Sequence, residues 1–168
     1  SRPADWRFDG RFTLEGATLA LRGTDLPLTG LTGELRVANA ALTAPALRAR
    51  FLAEPVTLEL RPADAAETGL SHVAGTTPAG KLATAFSIPF ADRLAGDVAW
   101  EGEARIATRD SGQPFTLDIR SSLEDLASTV PPPLAKAAGR ADPLRLTVAF
   151  PERGVVLLDG RLARGLSL

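Results

Sequence analysis

The sequence predicts a mainly β protein: a curved antiparallel sheet, either an open groove or sandwich-like, with two short helices. Three observations predict it. Apolar and polar residues alternate with period two over most of the 168 residues, turn-forming clusters separate the alternating runs, and helix-start signals are few.

Alternation begins at the first residues. From Trp6 to Leu14, Trp6, Phe8, Phe12 and Leu14 share one parity and Arg7, Asp9, Arg11 and Thr13 the other, the mark of a half-buried strand. It returns at Leu31/Leu35/Val37 against Glu34/Arg36, at Leu47/Ala49/Phe51 against Arg48/Arg50, and at Val56/Leu58/Leu60 against Glu59/Arg61. In the second half it recurs at Val98/Trp100/Ile106 against Asp97/Glu101/Glu103/Arg105 and at Phe115/Leu117/Ile119 against Asp118/Arg120. The last runs are Leu144/Leu146/Val148/Phe150 against Arg145/Thr147, and Val156/Leu158/Leu162 against Asp159/Arg161. Strands with one wet face are usually antiparallel. Turn signals at Gly23-Thr24-Asp25, Ala53-Glu54-Pro55, Arg109 to Pro114 and Pro151 to Gly154 make the connections hairpins or meanders.

Two segments read as helices. Thr77-Pro78 supplies an N-cap residue followed by proline at the first helical position, predicting a short helix over Pro78 to Phe86. Ser122-Leu123-Glu124-Asp125 reads as a capping box opening a helix over 122–129, which Pro131-Pro132-Pro133 stops. The chain thus divides into a first strand group over about 1–76, a helix and connection over 77–93, and a second strand group over 94–168. A loose repeat, Gly-x-apolar-x-apolar-acid-Gly, occurs at Gly10–Gly16, Gly96–Gly102 and Gly154–Gly160. Its glycines share the apolar parity, which would let a sheet bend or bulge.

Composition removes most chemistries. With no cysteine there are no thiol nucleophiles, disulfides or thiolate metal sites. A net charge of −1 without a basic block argues against nucleic acid as a partner. The longest stretch without Asp, Glu, Lys or Arg, Thr68 to Gly80, is thirteen residues broken by Gly and Pro, too short for a membrane-spanning helix. Gly75 to Lys81 matches a phosphate loop until Leu82 stands where a hydroxyl must hold magnesium; it reads as a strand, a turn and a short helix. His72, the single histidine, reads as a strand-end or edge residue rather than a catalytic base. Glu101 and Glu103 share an outward parity and read as solvated surface rather than a glycosidase pair. No catalytic, metal or cofactor site is expected. What remains is the apolar face, built of Leu, Val, Ala and Phe without tyrosine. With little helix to cover it, such a face must close on itself, dimerise or hold something apolar.

The segment from Ser121 to Lys136, Ser-Ser-Leu-Glu-Asp-Leu-Ala-Ser-Thr-Val-Pro-Pro-Pro-Leu-Ala-Lys, followed by Asp142-Pro143-Leu144, resembles a signature of the YhdP family of AsmA-like proteins. Gly96-Asp-Val-Ala-Trp100-Glu-Gly and the strand from Phe115 to Ser121 are similar to that family's preceding strands, and Leu31 to Leu60 to its repeated two-strand unit. Ser122, Asp125 and Val130 depart from the family's usual Asp, Gly and Leu. Carried over residue by residue, the motif comprises Ser121, Leu123, Leu126, Ala127, Pro131, Pro133, Leu134 and Lys136, with a structural role: capping a short helix between strands.

The resemblance implies a segment of a larger repeat protein, periplasmic and anchored in the inner membrane, whose β-units form a groove carrying phospholipid between inner and outer membranes. It implies phospholipid acyl chains and neighbouring segments of the same parent chain as partners, and no enzymatic activity. By strand parity the groove residues are Phe12, Leu14, Leu35, Val37, Phe51, Leu58, Val98, Trp100, Leu117, Ile119, Leu146 and Val148. The rival expectation is a closed β-sandwich serving as a structural or protein-binding module of the envelope.

Overall fold

The fold was read from a computed structural model, which describes residues 9–20, 25–38, 41–61, 70–105, 115–150 and 157–162. The chain runs β1 (Asp9–Leu19), β2 (Leu28–Ala38), β3 (Ala41–Phe51), β4 (Glu54–Arg61), β5 (Leu70–Pro78), α1 (Ala79–Ala85), a 3-10 turn (Ala91–Arg93), β6 (Leu94–Ala95), β7 (Asp97–Arg105), β8 (Phe115–Ser121), β9 (Ala127–Ser128), β10 (Leu144–Phe150) and β11 (Leu157–Leu162). Nine strands form one sheet in the order β1-β2-β3-β4-β5-β7-β8-β10-β11, and β6 pairs with β9 in a second, two-stranded sheet. Every pairing is antiparallel. The mainly β, curved antiparallel fold expected from alternation is therefore the fold observed, with the sheet open at β1 and β11.

Several local expectations need correction. The β3–β4 turn is Leu52-Ala53, both left-handed at φ 52° and 68°, the conformation of a tight two-residue hairpin; Glu54 and Pro55 already belong to β4. Strand β5 continues to Pro78 and passes straight into α1 without an intervening turn. Pro78 is the N-cap itself and, having no side-chain acceptor, makes no cap bond; the Thr77 hydroxyl, expected to cap, is turned inward and accepts a hydrogen bond from Trp100 Nε1 at 3.0 Å. The Ala79 N–H is satisfied instead by the Gly96 carbonyl at 2.9 Å. His72 is neither at a strand end nor at an edge: it sits within β5, between Glu59 of β4 and Glu103 of β7.

No helix forms over 122–129. Leu123 is left-handed, with φ 50°, and the carbonyls that would feed a helix are engaged elsewhere. Ser122 accepts from the Asp142 N–H at 2.7 Å and Glu124 from the Gly139 N–H at 2.8 Å. Ala127 and Ser128 then pair with Ala95 and Leu94 as strands. The Ser122 hydroxyl does accept the Glu124 N–H at 3.3 Å, but this closes a turn; the same local bond serves a cap or a turn equally well. Residues 6–8, Ile106 and Val156, and turn residues 23–24, 109–114 and 151–154, lie outside the described residues.

Two apolar clusters hold the fold. The larger gathers Leu28, Leu31, Ala44, Leu47, Ala49, Phe51, Val56 and Leu58 from β2, β3 and β4. The smaller lies under α1, where Ala79 and Ala83 face the sheet and Ala79, Val98 and Leu123 are buried together with Leu82, Leu126 and Leu144 against them. Trp100 and Leu82 pack against both clusters and join them. The Lys81 ammonium reaches the Glu54 carboxylate and the Leu52 carbonyl, pinning α1 to the β3–β4 hairpin.

Candidate functional site

Antiparallel register builds the apolar face one row at a time. Leu14 pairs with Gly33, Gly33 with Leu47, Leu47 with Leu58, Leu58 with Val73, Val73 with Gly102, Gly102 with Ile119, Ile119 with Leu146, and Leu146 with Gly160. Nine consecutive strands thus contribute an apolar residue or a glycine to one row, which at about 4.8 Å per strand runs roughly 38 Å across the sheet. The flanking rows include Val56–Gly75–Trp100–Ser121–Leu144 and Leu60–Ser71–Ala104–Leu117–Val148. Ser121 Oγ donates to the Ala99 carbonyl at 2.7 Å, and Thr77, which pairs with Val98, holds the Trp100 indole.

Glycines on this face let its neighbours lean together. A β-carbon at Gly75 would stand 2.6 Å from Val56 Cγ1, and one at Gly102 2.9 Å from Val73 Cγ1, both too close to exist. The Trp100 ring leans over the Gly75 gap and meets Phe51, three strands away, edge to face at 5.6 Å between centroids and 74° between planes. Across a flat sheet, three strand spacings are about 14 Å. The contact therefore needs both long side chains and a sheet bent toward its apolar side.

All twelve residues expected from parity stand on this one face, but their exposure differs. Phe12 is 46% exposed, and Leu14, Leu35, Val37, Trp100, Leu117, Ile119 and Leu146 are half-buried with part of their surface open. Phe51, Leu58, Val98 and Val148 are buried. Val98 in particular is core beneath α1, packed with Ala79 and Leu123, and is no open position. The open part of the face on β7, β8 and β10 is accordingly Trp100, Leu117, Ile119 and Leu146. Val73, Gly75 and Gly102 also belong to the face. A strand was expected about His72 and Gly75, but its face residues were not named, because the outward Ala74 and Thr76 carry no charge to mark the alternation; Val73, Gly75 and Thr77 at i, i+2, i+4 were the available signal.

The opposite face is wet and striped with charge. One row reads Arg48–Thr57–Ala74–Glu101–Arg120–Arg145 and the next Glu59–His72–Glu103–Asp118–Thr147. Arg61 binds Glu59 at 2.9 Å and holds its carboxyl below the usual carboxylate range. Thr147 Oγ1 donates to Asp118 at 2.6 Å. A broad depression of about 1060 Å³ on this side includes Arg48, Thr57, Thr76, Glu101, Arg120 and Arg145 in its lining. Guanidinium and carboxylate groups are interspersed round it, so it carries no strong field of one sign. Among the described residues, no group of three or more His, Asp or Glu side chains is arranged to hold a metal ion, and no helix is long and apolar enough to cross a membrane.

The motif residues form a closed loop beside the face. Ser121 ends β8 and its Oγ also accepts the Leu123 N–H at 3.1 Å; Leu123 and Leu126 anchor the loop in the smaller cluster, and Ala127 lies in β9. Lys136 exchanges backbone hydrogen bonds with Ser128 at 2.8 and 3.0 Å. Its Nζ donates to the Leu126 carbonyl at 2.7 Å, to Glu124 at 3.3 Å and to Ala137 at 3.4 Å. Pro131 and Leu134 stay exposed, and the Pro132–Pro133 peptide is cis. The motif's work in the structure is to tie this loop, not to cap a helix.

The chain is 27% identical over 145 residues to the intermembrane phospholipid transporter YhdP of Escherichia coli (strain K12), a match covering 83% of this chain and 11% of that protein. The chain therefore spans about a tenth of the relative's length. No solved structure matches it. The family model described as YhdP protein matches residues 2–163, nearly the whole chain and every strand of the large sheet, and on that match the chain belongs to the YhdP family.

Proposed function

We propose that the apolar face is a length of track along which phospholipid acyl chains pass between two membranes, within a periplasmic, inner-membrane-anchored protein, and that it catalyses no reaction. The observation that carries this reading is the row from Leu14 to Gly160, apolar or glycine on nine consecutive strands. An acyl chain needs continuous contact with apolar surface and no directional bonds, because the hydrophobic effect is non-directional and scales with area. The headgroup stays in water beyond the rim of the face. The open edges β1 and β11 suit continuation of the sheet by neighbouring segments of the same parent chain, since an unpaired strand edge is a template for further pairing. The relative's role in intermembrane phospholipid transport supports the choice of cargo.

Photo-crosslinking in the full-length protein in cells tests it. A photoreactive residue replaces Leu117 or Leu146 on the apolar face, with Arg120 and Arg145 as controls on the wet face. Phospholipid adducts at the first two positions alone are the expected result. A functional protein with no adduct at any of the four would make the face a sealed core and favour the closed structural module, a reading to which the burial of Leu47, Phe51 and Leu58 already lends weight.

A further inference from the structure

The apolar face has one fixed aromatic feature, and it stands between the closed and the open parts. Trp100 is held from three sides. Its Nε1 donates to Thr77 Oγ1 at 3.0 Å, and Thr77 is fully enclosed, so the acceptor cannot turn to water. Its ring meets the edge or face of Phe51 at 5.6 Å. Beneath it, Gly75 leaves the space that any larger residue would fill. Toward β2, β3 and β4 it borders the buried cluster; toward β8 and β10 the half-buried Ile119 and Leu146 continue the face. Trp100 itself is half-buried rather than sealed.

A rigid ring held over a glycine gap is a different surface from the leucines and valines around it. Aliphatic side chains change rotamer to admit a bulky guest, whereas an indole tied at its nitrogen and packed at its edge has no such freedom. From this arrangement we infer that Trp100, positioned by Thr77 and Phe51, touches the passing acyl chain and sets the width of the track, admitting straight chains and resisting bulky ones. The inference rests on the lipid-track reading and deepens it: it names the residue that selects among acyl chains.

The test uses the full-length protein incubated with phosphatidylethanolamine–phosphatidylglycerol vesicles. Benzoylphenylalanine is placed at position 100 or at position 119, with position 145 as the outward control. In parallel, capture of a phospholipid carrying a pyrene-tipped acyl chain is measured as a ratio to capture of its straight-chain counterpart, for the wild type and for Trp100→Leu, Phe51→Leu and Thr77→Val. We expect lipid adducts at 100 and 119 and none at 145. The pyrene-to-straight ratio should rise about two- to tenfold in the variants, the range that one aromatic contact is worth. Thr77→Val keeps the side-chain volume and removes the hydroxyl that accepts from Trp100, so it carries the test if Trp100→Leu does not fold. Adducts at 119 without adducts at 100, or an unmoved ratio in folded Thr77→Val, overturn the inference and leave the track reading standing. Absence of adducts at both 100 and 119 overturns the two together.

Discussion

Gly96 lies against the backbone of Asp125 so closely that a β-carbon on it would overlap the Asp125 carbonyl oxygen. It also has φ 93°, a conformation L side chains rarely adopt. The pair locks the β6–β7 corner to the motif loop and lets the Gly96 carbonyl receive the first N–H of α1. Gly96→Ala meets both a strained φ and a backbone clash. The expected loss is about 2 kcal/mol or more, read as a lower midpoint in urea unfolding. An alanine variant as stable as the wild type would mean the corner is looser than its geometry implies.

Lys136 is the second tie of the same loop. Its ammonium serves three carbonyls, of Leu126, Glu124 and Ala137. Lys136→Met keeps the length of the stem and removes every donor. We expect a loss of about 1.5–3 kcal/mol, the range for a hydrogen bond to a charged group, with faster amide exchange at Ser128 and at position 136. Lys136→Arg should restore little, because a planar guanidinium cannot point three donors into the same small space.

How much of this was legible beforehand depends on the range of the interaction. Leu117/Ile119 against Asp118/Arg120 alternate with period two, so the strand and its apolar face could both be read locally. The rows follow once neighbouring strands pair in antiparallel register, which is why Phe12 and Val148 share a face despite their separation in sequence. The helix expected over 122–129 failed because Ser122 to Asp125 suits a cap or a turn, and the choice is made by distant partners, Gly139 and Asp142. Thr77 looked like an N-cap because its hydroxyl has that capacity; the competing donor was Trp100, 23 positions away. The two-residue strands β6 and β9 carry too few residues to show any period. Which part of the face is closed was not legible, since it depends on how far the sheet bends and on α1 settling over Val98.

The Glu59–Arg61 pair on the wet face gives a pH-dependent readout. The guanidinium of Arg61 donates two hydrogen bonds to the Glu59 carboxylate, at 2.9 and 3.2 Å, and this lowers the Glu59 pKa. A depressed folded pKa contributes stability that is present above the unfolded value of about 4.3 and is lost as pH falls through the folded one. Both groups are solvent-exposed, so the effect on global stability is slight. NMR titration of the Glu59 side-chain carboxyl should give a midpoint below that of an isolated glutamate, and Arg61→Ala should raise it. An unchanged midpoint in Arg61→Ala would remove the pair as the cause.

Val98 and Ile119 share the apolar face and differ in what covers them, so the same substitution should act on different properties. Val98 is buried with Ala79 and Leu123 beneath α1. An aspartate there must lose its charge or open the cluster, at about 3 kcal/mol or more. Ile119 is half-buried, with part of its surface open, and a carboxylate at that position can turn toward water. Val98→Asp should therefore lower the thermal midpoint sharply, and any loss of lipid capture would follow from unfolding. Ile119→Asp should leave the midpoint within a few degrees while placing a hydrated charge in the row between Gly102 and Leu146. An acyl chain passing along that row would have to strip the carboxylate of water, so capture by the folded variant should fall. Ile119→Asp that both folds and captures lipid as the wild type does would remove this row from the path.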